Sequence, residues 1–197
     1  MNPTSYYKKA VKHFSIAAFE QAHAQAVVKH LKELHPTPPA ALTLAGHFHD
    51  IDRSTSKRVD PTKDTNYQDN KQAHATNCAQ ITKEFLQELP QTLLQDISYL
   101  IQHHEQGPPT QEPLLDNHTR SFDLNQAAHT LFCADKLAFF SQAIHRYAKR
   151  GDKRLRMKIR FSLQQLPKKH YTTIKNYSYP QEIQKIIEEE IKTKKDT

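Results

Sequence analysis

The chain has 197 residues, 37% of them apolar and 25% charged, a formal net charge of +7 and only 3 glycines. This length predicts one compact domain of the usual size of about 100–200 residues. No apolar run approaches the ~18 residues of a membrane span, and so few glycines exclude the phosphate-cradling loops of the G-x-G-x-x-G and Walker kinds.

The opening, MNPTSYYKKAVKHF, is positively charged but lacks the continuous apolar stretch of an export signal, so a cytoplasmic protein without membrane contact is expected. Helical periodicity then runs nearly throughout, with prolines in the joints, which predicts an all-α domain. Val27, Leu31 and Leu34 recur at helical spacing in residues 16–35, and the PTPP at 36–39 closes that helix. ALTLAGHFHD forms a short second helix. Residues 54–70 are polar without period, and a loop longer than about 12–15 residues is usually functional or disordered. Helices resume over 71–88 and 91–104, separated near Pro90, and a second long loop, EQGPPTQEPLLDNHTR, fills 105–120. A long helix is expected over 122–149 and a basic one over 153–166. The last begins near Pro180, carries Ile183, Ile186, Ile187 and Ile191 on one face, and has lysines in its final turn.

Several ionisable residues fall on apolar stripes, where burying them unpaired costs several kcal/mol. His23 sides with Ala26, Val27 and Leu31; His49 with Ala41, Leu42 and Ala45; His74 with Cys78, Ile81 and Phe85. His104 follows Ile97, Leu100 and Ile101, with His103 beside it, and Asp135 sits among Leu131, Phe132, Ala138 and Phe139. Five helices thus aim imidazoles or a carboxylate inward, a donor set suited to zinc, iron, manganese or nickel. One His-Asp pair alone is weak: 13 histidines and 11 aspartates yield about 0.7 such dipeptides by chance. The pattern formed with the other helices is what carries information.

That order, His23, then His49-Asp50, then His74, then His103-His104, then Asp135, resembles the HD-domain superfamily of metal-dependent phosphohydrolases. QAHAQAVVKHLKEL is similar to its first metal helix, LAGHFHDIDR to its HD segment, QAHATNCAQITKEFL to its third motif, LIQHHEQ to its histidine helix and LFCADKLAFF to its closing segment. The resemblance covers roughly 16–145, and implies one HD-type helical bundle over 1–197 with 146–197 as a basic helical extension. It implies His23, His49, Asp50 and Asp135 as ligands of one metal, with His74 and one of His103 and His104 completing a second site. The HD motif favours His103, the stripe periodicity favours His104, and both stay candidates. Asp50 would bridge two divalent ions (Fe, Mn, Zn, Ni or Co) that share a hydroxide for in-line displacement at phosphorus. Arg53 stands where related enzymes carry a basic residue, as a contact for substrate phosphate. The substrate implied is a phosphomonoester, phosphodiester or phosphoanhydride, for instance a nucleotide.

Some features depart from this pattern or fall outside it. QGPPTQEP replaces the DGxGYP that follows HHE in the cyclic-dinucleotide phosphodiesterases. The same count of four histidines and two aspartates serves mixed-valent di-iron oxygenases of the superfamily, and a non-catalytic module binding nucleotides or RNA is a third reading. The net charge and the basic stretch HRYAKRGDKRLRMKIR at 145–160 favour phosphate chemistry. As a nucleic-acid footprint that stretch lacks a reader motif, and a solvated basic helix explains it too. Cys78 and Cys133 read as reduced buried thiols. Glu20 and Glu105 are weaker candidates for orienting ligands, His47 reads as lying behind the ligands or on the surface, and Asp52 has no assigned role.

Overall fold

A computed structural model describes residues 2–59, 67–108 and 121–195. The described elements are helical throughout, without a strand, and none is long and apolar enough to cross a membrane. The chain divides into two compact units, Met1–Asp135 and Lys136–Thr197.

In the first unit, α1 spans Pro3–His13, α2 Ala18–Leu34, α3 Ala40–Phe48, α4 Tyr67–Phe85 and α5 Gln91–Gln102, while α6, Leu124–Ala138, runs past its end. A short 3₁₀ turn, Ile51–Ser54, follows α3. The centre is α3. Its sequence, AALTLAGHF, is apolar on every side, and a helix of that kind is stable only when surrounded; α1, α2, α4 and α5 all pack on it. Leu31, Leu42, Leu44, Ile97, Leu100 and Ile101 are fully buried around it, each worth about 1.5–3 kcal/mol. The PTPP ends α2 as expected: His35 turns to an extended φ of −142° ahead of Pro36.

Gly46 sets how closely α2 and α3 approach. A Cβ there would lie 2.6 Å from Leu31 Cδ1 and 3.3 Å from Val28 Cγ2. Gly46→Ala is therefore expected to destabilise the fold by about 1–3 kcal/mol, as overpacking does, visible as a lowered midpoint in urea unfolding. An unchanged midpoint would mean that the two helices separate freely.

Three boundaries differ from the sequence expectations. The opening segment forms α1, capped by the Asn2 side chain accepting from the Thr4 N–H. The polar stretch 54–70 already becomes helical at Tyr67; residues 60–66 lie outside the described residues, as do 109–120 of the second expected loop. The helix expected over 122–149 holds a π-helical turn, Phe139–Ala143, between α6 and α7, Ile144–Ala148. It starts where the Asp123 side chain caps the Gln126 N–H.

In the second unit, α8 spans Asp152–Gln165, α9 Tyr171–Lys175 and α10 Gln181–Lys195. Gly151, at φ +93°, makes the left-handed corner before α8. Leu155, Ile159 and Leu163 on α8 and Ile183, Ile186, Ile187 and Ile191 on α10 are buried, and the two helices pack together. Arg160 holds Glu190 in a two-pronged pair at 2.8 and 3.0 Å, and Arg156 meets Glu189 at 2.7 Å. The Tyr171 hydroxyl donates to the Leu163 carbonyl and ties α9 to the end of α8.

Candidate metal centre

Helix interiors supply His23, His74 and Asp135 to the site, and the ends of α3 and α5 supply His49, Asp50 and His104. His49 is the C-cap of α3, and its Nδ1–H donates to the Gly46 carbonyl at 3.0 Å. His104 lies just past α5 and donates from Nδ1 to the Ile101 carbonyl at 2.6 Å. Carbonyls in a helix's last turn lack intrahelical partners, so each ring satisfies one and is fixed in a single tautomer. A carbonyl can only accept, so in the neutral ring the proton sits on Nδ1 and the Nε2 lone pair is left for another partner. Both Nε2 atoms are buried with no hydrogen-bond partner. That is the arrangement by which second-shell contacts orient metal-binding histidines.

Asp50 stands between two groups. Its Oδ2 lies 3.6 Å from His23 Nε2 and 3.5 Å from His49 Nε2. Its Oδ1 lies 2.9 Å from His74 Nε2 and 4.0 Å from His104 Nε2. Asp135 Oδ1 closes the first group, 3.2 Å from His23 and 3.5 Å from His49. The potential ligand atoms of His23, His49 and Asp135, and those of Asp50, His74 and His104, each lie within 4.8 Å of one another. Four imidazoles and two carboxylates from five helices or their ends thus converge; the stripes predict the imidazoles and Asp135, and the HD resemblance adds Asp50.

The electrostatics of this cluster call for a cation. Burial alone would raise the Asp50 pKa, yet Arg53 and His49 outweigh it and hold the carboxyl well below its usual range. Burial works against charge on His49 and His74 as well, but Asp50 with Asp135 raises the first, and Asp50 with Asp52 raises the second. His104 behaves oppositely: burial pushes it down to about 4, so its ring is neutral at pH 7 with a free lone pair. Two carboxylates in a nearly dry pocket are thus balanced by protons and by Arg53. A divalent ion fits the same demand and displaces those protons on binding.

The structure separates His103 from His104. The His104 side chain reaches Asp50, whereas the His103 ring packs on Tyr99 with centroids 4.4 Å apart and joins neither group. Arg53 Nη1 lies 2.7 Å from Asp50 Oδ2 while 35% of its side chain stays exposed, so it touches the centre and is reachable from solvent. His47 is buried against Tyr7, the rings stacked 4.4 Å apart at 15°. It therefore belongs to the core behind the site and not to the surface. The Cys78 thiol, 3.8 Å from His74 Nδ1, is pushed up to about 11 by burial and stays protonated at neutral pH.

Three residues beside the site went unassigned or undervalued in the sequence. Asp52, fully buried, places Oδ1 2.9 Å from His74 Nδ1, and its Oδ2 accepts from the Val59 N–H and from Asn77 Nδ2, both at 3.4 Å. His74 is thus clasped between two carboxylates, its Nε2 turned to Asp50. Lys71, one helical turn before His74, pairs at 2.9 Å with Glu105, the residue after His104, and both are buried. That pair straps α4 to the end of α5 and keeps the His74 and His104 rings 5.5 Å apart. The only signal for Lys71 in the sequence is its place on the His74 stripe.

Asp52→Asn keeps the size of the side chain but weakens its hold on His74 Nδ1. Losses of second-shell partners typically cost 10–100-fold in metal affinity. A drop of about that size is expected in competition with a chelator, and an unchanged affinity would show that Asp52 does not orient His74.

Comparison with known families matches residues 21–139 to the HD domain. No curated protein and no solved structure matches the chain.

Proposed function

Because the chain belongs to the HD-domain family, a superfamily of metal-dependent hydrolases, we propose that it hydrolyses a phosphoester or phosphoanhydride, with a nucleotide as the substrate class. The observation that carries this reading is the placement of Asp50, one carboxylate oxygen toward each imidazole group, beside two buried Nε2 atoms without partners. In this proposal His23, His49, Asp50 and Asp135 hold one divalent transition metal ion, and Asp50, His74 and His104 hold a second. Such ions, when bound, polarise phosphoryl oxygens as Lewis acids and make water nucleophilic at neutral pH.

The remaining work falls to the chain itself. The Gly46 and Ile101 carbonyls fix the tautomers of His49 and His104, so no reorganisation is needed when a cation arrives. Asp50 places negative charge where both groups meet it. Arg53 presents a forked, permanently charged donor beside Asp50 and meets the phosphoryl oxygens of the substrate, where charge gathers during displacement. That cation at the rim favours a phosphate substrate over the oxygenase reading.

The test is an assay of the chelator-treated chain with p-nitrophenyl phosphate and bis(p-nitrophenyl) phosphate. Release of p-nitrophenol on adding Mn²⁺, Co²⁺, Ni²⁺ or Zn²⁺ is the expected result. Inactivity with all of them, together with oxygen uptake in the iron form, would replace the hydrolase reading with the oxygenase one.

A further inference from the structure

The charge of this chain is divided unevenly between its two units. Met1–Asp135, which holds every residue of the cluster, carries 12 Lys and Arg against 15 Asp and Glu, a formal charge of −3. Lys136–Thr197 carries 16 against 6, a formal charge of +10. The net +7 of the whole is therefore a property of the second unit.

Within that unit the charge is not evenly spent. The acidic run of α10 is met by α8: Glu189 pairs with Arg156 and Glu190 with Arg160. Lys158 covers the Phe139 ring at 5.4 Å. Lys149, Lys153 and Arg154 are exposed and have no carboxylate partner among the described residues, and Arg150 is exposed with its guanidinium 4.7 Å over the Tyr147 ring. These four flank the Gly151 corner and the first turn of α8, and the only acidic residue between them is Asp152.

We propose that Lys136–Thr197 is a nucleic-acid-binding unit whose contact face is the α7–α8 corner and the exposed side of α8, with Lys149, Arg150, Lys153 and Arg154 on backbone phosphates. The occupant follows from what the face lacks. A membrane-docking helix buries an apolar face about 5–10 Å into the lipid boundary, but the apolar stripes of α8 and α10 are already buried in the unit, and Met157 is the only exposed large hydrophobic residue among those described. A protein partner needs an apolar centre to its interface, and the same absence argues against one. Nucleic-acid affinity, by contrast, comes largely from lysines and arginines releasing counterions from phosphates. The 14-residue α8 is about 21 Å long, the axial span of about six phosphates of one duplex strand at ~3.4 Å each.

The experiment is fluorescence anisotropy of the full chain with a labelled duplex oligonucleotide between about 50 and 200 mM salt. Binding that weakens steeply with salt is expected. In the variant carrying Lys149→Ala, Arg150→Ala, Lys153→Ala and Arg154→Ala, affinity should fall at least about tenfold and the salt slope flatten by about 0.9 for each contact removed. Lys8→Ala with Lys9→Ala, on α1, should change neither. Circular dichroism checks the fold, and the milder pair Lys153→Gln and Arg154→Gln, expected to lose half the effect, serves if the fourfold variant unfolds. The proposal is overturned if the parent chain does not bind at the lowest salt, if the variants keep the parental slope, or if the chain binds phosphatidylserine vesicles and not the oligonucleotide.

Discussion

Asp50→Ala is expected to lower metal-dependent phosphoester hydrolysis by about 1000-fold or more, the equivalent of losing about 4 kcal/mol of transition-state stabilisation. The size follows from position. Among the described residues Asp50 alone reaches both imidazole groups and Arg53, so one substitution removes the proposed shared ligand and frees the guanidinium from its anchor. Steady-state kinetics at saturating Mn²⁺ provide the check, with metal content measured on the same sample. A variant that keeps activity within tenfold would show that Asp50 is a structural acid and that the two groups do not act as one centre.

The second large effect distinguishes neighbours. His104→Ala is expected to cost about 100-fold or more in hydrolysis and to remove one bound ion per chain, whereas His103→Ala should leave the metal content intact and activity within a few-fold. His104 offers a buried Nε2 with a fixed tautomer as the proposed ligand of the second ion, and a 100-fold loss corresponds to about 2.7 kcal/mol of transition-state stabilisation. His103 stacks on Tyr99, and burial lowers its pKa. Metal analysis and kinetics on the two purified variants decide the matter, and the reverse pattern would restore the ligand favoured by the HD motif.

That pair also illustrates how much of the site was legible in the sequence. His23, His49, His74, His104 and Asp135 stood out because an apolar stripe has no reason to bury an imidazole or a carboxylate. His104 keeps the register of Ile97, Leu100 and Ile101 beyond the last helical residue, and it is the side chain of the pair that reaches Asp50. Asp52 was invisible to the same reasoning. It lies in the 3₁₀ turn Ile51–Ser54, where no helical period applies, and its partner His74 is 22 positions away. The Lys71–Glu105 strap escaped for a related reason: a lysine at the edge of a polar stretch and a glutamate at the start of another each look solvated until α4 and α5 pack.

The all-helical fold was equally plain from periodicity, with two exceptions of physical interest. The α1 helix carries too few apolar residues to show a stripe, and only Tyr7 and Ala10 are buried on it. The π-helical turn at Phe139–Ala143 inserts an extra residue into a pattern that otherwise reads as one unbroken helix. Net charge carries its information unit by unit: the basic residues are concentrated in Lys136–Thr197, and the candidate ligands in Met1–Asp135. The argument for a phosphate substrate therefore rests on Arg53 beside Asp50 and on the family.

The most direct measurement of the central claim is the number of divalent ions bound per chain, by elemental analysis of protein reconstituted with Mn²⁺ and freed of excess metal. The account predicts two, falling to one or none in Asp50→Ala. A parent chain that binds no ion under these conditions would contradict it.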